Sequence, residues 1–273
     1  MTDPLVGLVF LLAGVAAAAG VVRHRARRHA IDPRLAVDAL FVVVAAGLCA
    51  SHVVGALVYR PDALAADWTT LLPGSGTSSS LGAIVGAGLG LAGWLRPRAG
   101  RAFWIHVDDL VLALGLGWAI GRVGCFLCHD HLGRLTSFPL GVVIGGGRRH
   151  DLGLYEALAS FALYGVLVAA DRPGVRPGWL AGLAAVGYGA IRFALEPLRA
   201  DDLEVLGRHS DARYFGWTLV QMAAPALCAV GAAILWRSRG RLARISLRPR
   251  RPAAPVATTA RRSVRPAAPA RGG

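Results

Sequence analysis

Seven stretches of the chain stay apolar over roughly the 20 residues that a helix needs to cross the hydrocarbon of a bilayer. They run over 4–22, 36–58, 79–95, 106–127, 152–170, 177–197 and 214–236. Polar runs separate them, so the pattern predicts an all-α polytopic membrane protein with seven transmembrane helices. The charges of the first stretch follow it rather than precede it, which argues for a span over a cleaved leader. The third carries Gly82, Gly86, Gly88, Gly90 and Gly93, a composition that suits close helix packing or a partly re-entrant path.

The connecting runs alternate in charge, and this sets the orientation. RHRARRH follows the first span, RPRAGR the third, DRPGVRPG the fifth and an arginine-rich tail the seventh. By the positive-inside rule these four face the cytoplasm. The remaining connections, RPDALAADW, HDHLGRLTSFPLGVVIGGGRRHD and EPLRADDLEVLGRHSDARY, are mixed or acidic and would lie outside. The N-terminus is therefore expected outside and the C-terminus in the cytoplasm.

Composition agrees. The chain has 273 residues, of which 55% are hydrophobic, and a mean hydropathy of +0.50, too apolar for an ordinary soluble domain. Its formal charge of +14 comes from arginine alone, with no lysine. Eleven arginines follow Trp236. The stretch 239–273, rich in Arg, Pro and Ala, has no apolar periodicity and reads as a disordered cytoplasmic tail behind a transmembrane domain over 1–238. Beside a membrane, such a tail faces anionic headgroups more simply than nucleic acid, and no nucleic-acid partner is expected.

Charge inside the spans is the main functional signal, because an arginine at the bilayer centre costs roughly 2.5–3.5 kcal/mol on insertion scales. Arg122 lies in GWAIGRVG of the fourth span and Arg192 in AAVGYGAIRFALEPLR of the sixth. Glu196 and Arg199 follow Arg192 on the same helical face, and Arg199 is expected to do no more than pair at the outer interface. Pro197 disfavours regular helix at Glu196. Two guanidiniums at one membrane depth make a phosphate clamp, since the guanidinium fork matches phosphate oxygens. A phospholipid headgroup is the expected ligand.

Four ordered boxes now carry a resemblance. GRVGCFLCHDHLGR (121–134) is similar to the Gly-Arg-x-Gly-Asn-Phe-x-Asn-x-Glu … Gly-Arg signature of the prolipoprotein diacylglyceryl transferases. HDLGLYEA (150–157) resembles that family's His-Pro-Ser-Gln-Leu-Tyr-Glu box. YGAIRFALEPLRADD (188–202) resembles its Tyr-Gly-x-x-Arg-Phe-x-x-Glu-x-x-Arg segment, and GWTLVQMAAP echoes its Gly-Gln-Ser-x-Pro region.

The resemblance implies a seven-helix enzyme of the bacterial plasma (inner) membrane. It would transfer diacylglyceryl from phosphatidylglycerol to the lipobox cysteine thiol of a preprolipoprotein, releasing glycerol phosphate, with no cofactor and no metal. It places Arg122, Cys125 and Gly133 at the phosphatidylglycerol site. Tyr188 and Arg192 would act on the headgroup and leaving phosphate, and His150, Tyr155 and Glu156 would line the outer side. Glu196 and Arg199 complete the expected binding set.

The chain departs from the family pattern at chemically important places. Leu81, in GTSSSLGAIVG, stands where the family carries a histidine suited to thiol activation. Cys125 and Cys128 replace two asparagines, Asp130 a glutamate and Asp151 a proline. His129, His131, Asp130 and His150 are the substitute bases available in the outer connection, and Asp130 and His150 are placed in the catalytic set. A second reading follows from Leu81: a catalytically altered or inactive paralogue that binds phospholipid or lipoprotein precursor without transfer.

The run CFLCHDH (125–131) matches the Cys-x-x-Cys-His spacing of c-type haem attachment. It also offers zinc-ligand types and a vicinal pair able to form a disulfide in an oxidising compartment. The plain reading, two small residues at an inherited helix end, is the strongest of the four.

Overall fold

The computed structural model describes residues 4–59, 61–71, 78–203 and 213–239. The stretch expected as a disordered tail lies outside the described residues after Arg239. Helices dominate. α1 (Pro4–Arg28) and α2 (Pro33–Tyr59) open the chain, and the short α3 (Pro61–Ala66) follows. α4 (Ser80–Gly90) passes through a π turn at Leu91–Leu95 into α5 (Arg96–Ala99). Then come α6 (Phe103–Cys128), α7 (Leu152–Ala170), α8 (Trp179–Leu195) and α9 (Leu219–Arg237).

Among the described residues, five helices are long and apolar enough to cross a membrane: Leu5–Arg28, Pro33–Val58, Phe103–Cys128, Leu152–Ala170 and Leu219–Arg237. The stretches expected as the third and sixth spans form α4, which the π turn divides from α5, and the 17-residue α8.

Helix starts follow local chemistry. Asp32 accepts from the Arg34 amide at 2.9 Å ahead of Pro33, joining an acidic cap to a proline whose missing N–H costs nothing there. Asp151 caps α7 through the Leu154 amide at 3.2 Å. Thr218 and Gln221 form a reciprocal capping box at α9. α8 has no cap of its own side chain; Asp108 of α6 accepts from Gly178 at 2.7 Å and Ala181 at 2.9 Å instead.

Packing depends on small residues. A Cβ at Gly14 of α1 would stand 2.5 Å from the Gly117 carbonyl of α6, and one at Gly86 of α4 would stand 2.3 Å from the Ala50 side chain of α2. In lipid, where apolar helices gain nothing by leaving the solvent, such close approach is the main attraction between them. Ala18, Val22, Leu40, Leu95 and Leu110 fill the core among α1, α2 and α6. Leu112, Leu167 and Leu180 fill a second one among α6, α7 and α8.

Two features depart from the expected arrangement, and the first of them adds strands to the all-α fold. Between α6 and α7 lie three antiparallel strands, β1 (Leu132–Leu135), β2 (Val142–Ile144) and β3 (Gly147–Asp151), in the order β1-β3-β2. The β2–β3 turn places Gly145 and Gly146 at φ 63° and 80°, the two positive angles of a tight hairpin turn that matches strand twist. A second ladder pairs β4 (Arg213–Tyr214) with β5 (Trp217–Thr218) just before α9. The other departure is the length of α1, which continues through RHRARR to Arg28. Arg25 is held there by Asp109 at 2.7 Å and Asp171 at 2.5 Å, while His29 meets Asp109 at 3.1 Å.

Candidate active site

Five charged side chains form an unbroken chain near the ends of α6, α7 and α8. Arg122 Nε of α6 meets Glu156 Oε2 of α7 at 2.9 Å. The other oxygen of Glu156 pairs with Arg192 of α8. Arg192 Nη2 meets Glu196 Oε2 at 3.0 Å, and Arg199 Nε meets Glu196 Oε1 at 3.0 Å. Both carboxylate side chains are 1% exposed. Three cations face two anions, so the row keeps an excess positive charge in a place that water hardly reaches.

The sequence of α8 explains half of this row. Arg192 and Glu196 are one turn apart, and the chain tightens into a 3-10 turn at Glu196–Leu198 where Pro197 ends the regular helix. Arg199 then adopts an extended conformation and bridges to Gly133. A Cβ at Gly133 would fall 2.5 Å from the Leu198 carbonyl. Only glycine lets the outer sheet come this close to the turn that carries Glu196 and Arg199.

Aromatic side chains flank the arginines. The Arg122 guanidinium lies 4.4 Å from the centre of the Trp118 ring, a cation–π contact. Trp118 in turn meets Tyr188 edge to face at 5.8 Å, and the Tyr188 hydroxyl faces Arg122. From Tyr188 and Arg192 an apolar groove of about 230 Å³ runs between Leu81, Ile84 and Val85 of α4 and Val220, Leu227 and Val230 of α9.

The outer side holds a second, separate group. His150 Nδ1 lies 2.8 Å from the Tyr155 hydroxyl. Together with Phe138, Leu140, Leu158 and Leu198 they line a mainly apolar cavity of about 480 Å³. Burial holds His150 below its ordinary histidine range. Burial lowers His131 much further, and the charges of Arg122, Arg199 and Arg192 add to the effect. His129 is engaged with Asp151 at 2.6 Å.

The structure thus gathers Arg122, Arg192, Tyr188, Glu196 and Arg199 at one place, with Cys125 Sγ 3.8 Å from Arg122 Nη1. Arg199 is drawn inward to Glu196 rather than spread at the surface. Glu156, expected on the outer side beside His150 and Tyr155, is instead the buried link between the two span arginines. Asp130 stands at the edge, with 46% of its side chain accessible. Cys125 and Cys128 are not joined by a disulfide. Sequence reasoning missed Trp118, one turn before Arg122, and Thr218, whose hydroxyl donates to Glu196 Oε1 at 3.0 Å. The Thr-x-x-Gln spacing of a capping box is the local signal that could have drawn attention to Thr218.

Comparison with known proteins gives the arrangement a family. A family model described as prolipoprotein diacylglyceryl transferase matches residues 7–237. A phosphatidylglycerol–prolipoprotein diacylglyceryl transferase of Chromohalobacter salexigens is 33% identical over 208 residues, 72% of this chain and 74% of the relative. One from Solidesulfovibrio magneticus is 30% identical over 220 residues, 77% of this chain and 80% of the relative. One from Chlorobaculum tepidum is 32% identical over 124 residues, 43% of each chain. Matched over most of its length, and carrying the paired arginines and the tyrosine of the expected boxes around a single buried site, the chain belongs to the prolipoprotein diacylglyceryl transferase family.

Proposed function

We propose that this protein transfers the diacylglyceryl group of phosphatidylglycerol to the lipobox cysteine thiol of a preprolipoprotein, releasing glycerol phosphate. The observation that carries this reading is the shared contact of Arg122 and Arg192 with Glu156 beside an apolar groove. The thiol gives up its proton to water, its sulfur forms a bond to the terminal glycerol carbon while that carbon's bond to the phosphate oxygen breaks, and the electron pair leaves with the phosphate. A departing phosphate is stabilised by cations fixed beforehand in a site that excludes water. Arg122 and Arg192 supply those charges, Tyr188 a hydroxyl, and the groove along α4 and α9 a place for an acyl chain. Glu156 holds both guanidiniums in position and shares them with the phosphate when it arrives.

The same reading supplies the membrane arrangement. Seven spans are counted by adding α4–α5 and α8 to the five long apolar helices. The alternation of loop charge supports an outer N-terminus, a cytoplasmic C-terminus and a plasma-membrane location. The domain then covers 1–238 with a cytoplasmic tail over 239–273, and the outer sheet with His150, Tyr155, Asp130 and Gly133 meets the protein substrate.

The test is incubation of the purified protein in phosphatidylglycerol membranes with a lipobox peptide. Glycerol phosphate and thioether product are expected together, and Arg192→Ala is expected to abolish both. A wild-type protein that binds the lipid and forms neither product would falsify the assignment in favour of lipid binding without transfer.

A further inference from the structure

The site holds more hydrogen-bond donors than acceptors. A guanidinium can only donate, and so can an indole. The oxygens of Glu156 are taken by Arg122 and Arg192, and those of Glu196 by Arg192, Arg199 and Thr218. Two further polar atoms lie in the same region. Trp118 Nε1 and Ser160 Oγ are both shut off from solvent, and neither meets a hydrogen-bond partner among the described residues. In a membrane-embedded interior an unpaired N–H or O–H is costly, so its acceptor is to be sought in what the site binds.

Helix register puts these two groups at one level, a turn further from the outer sheet than the arginines. On α6 and α7, Arg122 meets Glu156 at 2.9 Å, and a Cβ at Gly115 would stand 3.7 Å from Tyr164 Cδ2. Trp118 and Ser160 lie between these two contacts, one on each helix. α7 and α8 agree, since Glu156 pairs with Arg192 and a Cβ at Gly187 would fall 2.5 Å from Leu163 Cδ1. Ser160, 5% exposed, therefore sits at the junction of α6, α7 and α8. Trp118 enters the same junction, where its ring meets Tyr188 edge to face at 5.8 Å. Tyr188 also lines the apolar groove, so both groups adjoin the path of an acyl chain.

We propose that Trp118 Nε1–H and Ser160 Oγ–H donate to the ester carbonyl oxygens of the lipid substrate, making the site selective for ester-linked over ether-linked lipid; this deepens, and rests on, the transferase reading. An ester carbonyl is an uncharged acceptor that needs no counter-ion, which suits a region where positive charge is already in excess. In a glycerophospholipid the first ester stands on the carbon next to the one that carries the phosphate. Its carbonyl therefore reaches a helical turn, ~5 Å, beyond a phosphate held by Arg122 and Arg192. With phosphate and carbonyl both held, the carbon between them is presented to the incoming sulfur in one orientation. Peptide carbonyls of the protein substrate offer the same kind of acceptor, but they arrive from the outer sheet, on the far side of the arginines.

The experiment uses the full-length protein in uncharged detergent micelles, with phosphatidylglycerol and its dialkyl ether analogue of equal chain length. Wild type should bind the ether lipid with a Kd about 10-fold above that of the ester, the worth of one or two hydrogen bonds. Trp118→Phe, which keeps a ring against Arg122, and Ser160→Ala should each shrink that ratio, and together bring it near one. Phosphatidylglycerol labelled with carbon-13 at its ester carbonyls adds a direct reading. Their infrared stretch should move to lower frequency on binding to wild type and stay near that of free lipid with the double variant. A wild type that binds the two lipids alike, a labelled stretch that does not move, or a ratio unchanged in the double variant each overturns the proposal. Addition of a lipobox peptide separates the two readings. Product with an unshifted carbonyl overturns this proposal alone, and a shifted carbonyl without product overturns the transferase reading alone.

Discussion

Arg122 and Glu156 meet at 2.9 Å with their side chains 8% and 1% exposed, an ion pair inside the protein rather than on it. Truncating one partner of such a pair leaves the other charge buried without compensation, at about 3–5 kcal/mol. Glu156→Ala strands part of both Arg122 and Arg192, so it should lower stability by at least that much. Thermal unfolding of wild type and variant in the same lipid micelles measures the loss.

Arg192→Lys separates charge from geometry. The guanidinium reaches Glu156 and Glu196 at once, whereas an ammonium is a compact point charge on a flexible stem. Turnover should fall by about 10²-fold or more, the usual cost of a lost donor to developing charge. Lipid binding should fall much less, and the comparison of kcat with KM for phosphatidylglycerol reads this directly.

Leu81 lines the groove together with Arg192 and Tyr188. Leu81→His places a base at that groove. A positioned base contributes about 10²–10⁴-fold, so single-turnover thioether formation by Leu81→His should exceed that of wild type by at least ~10-fold at neutral pH.

Arg149 grips Asp202 through two hydrogen bonds of 2.7 Å. This pairing holds Asp202 below its ordinary value of 3.8. Because the folded-state pKa is depressed, the contribution of the clasp is complete above the ordinary aspartate range and disappears as pH falls through the lowered value. Unfolding temperatures followed from about pH 6 to pH 2 should show this acid-side loss, and Asp202→Asn should remove that part of the dependence.

Gly133→Ala tests the approach of the outer sheet to the Glu196–Leu198 turn. The new methyl group would meet the Leu198 carbonyl at 2.5 Å and His150 Cβ at 2.8 Å, and neither backbone segment moves freely. Destabilisation of about 1–3 kcal/mol, the usual cost of overpacking, should come with reduced turnover. Ala at Gly146, where no atom lies within 4 Å but φ is +80°, supplies a contrast in which strain acts without displacing the site.

What was legible in the sequence depends on how local the cause is. The stretch 152–170 coincides with α7 because hydropathy and an aspartate cap act within a few residues. The pairing of Arg192 with Glu196 was readable for the same reason, one helical turn apart. The link through Glu156 was not, since it joins Arg192 across 36 residues of chain and no local spacing encodes it. α1 outran its expected end because distant carboxylates, Asp109 and Asp171, hold Arg25. The β2–β3 hairpin had a local signal in Gly145 and Gly146, masked by an outer connection that otherwise read as mixed in charge. The turn at CFLCHDH was the least legible. A left-handed residue at His129 turns that side chain to Asp151 and folds the Asp130 amide back onto the Cys125 carbonyl.

Arg25 is partnered by Asp109 and Asp171, which lie 84 and 146 residues further along the chain. At about 5–20 residues per second of synthesis, the last of these partners emerges roughly 7 to 30 s after the arginine. For the first part of that interval, until Asp109 has been made, the newborn first helix has neither of these carboxylates to neutralise it. The bundle is therefore closed from its far end backwards: its oldest helix becomes fully settled only when Asp171 has been made.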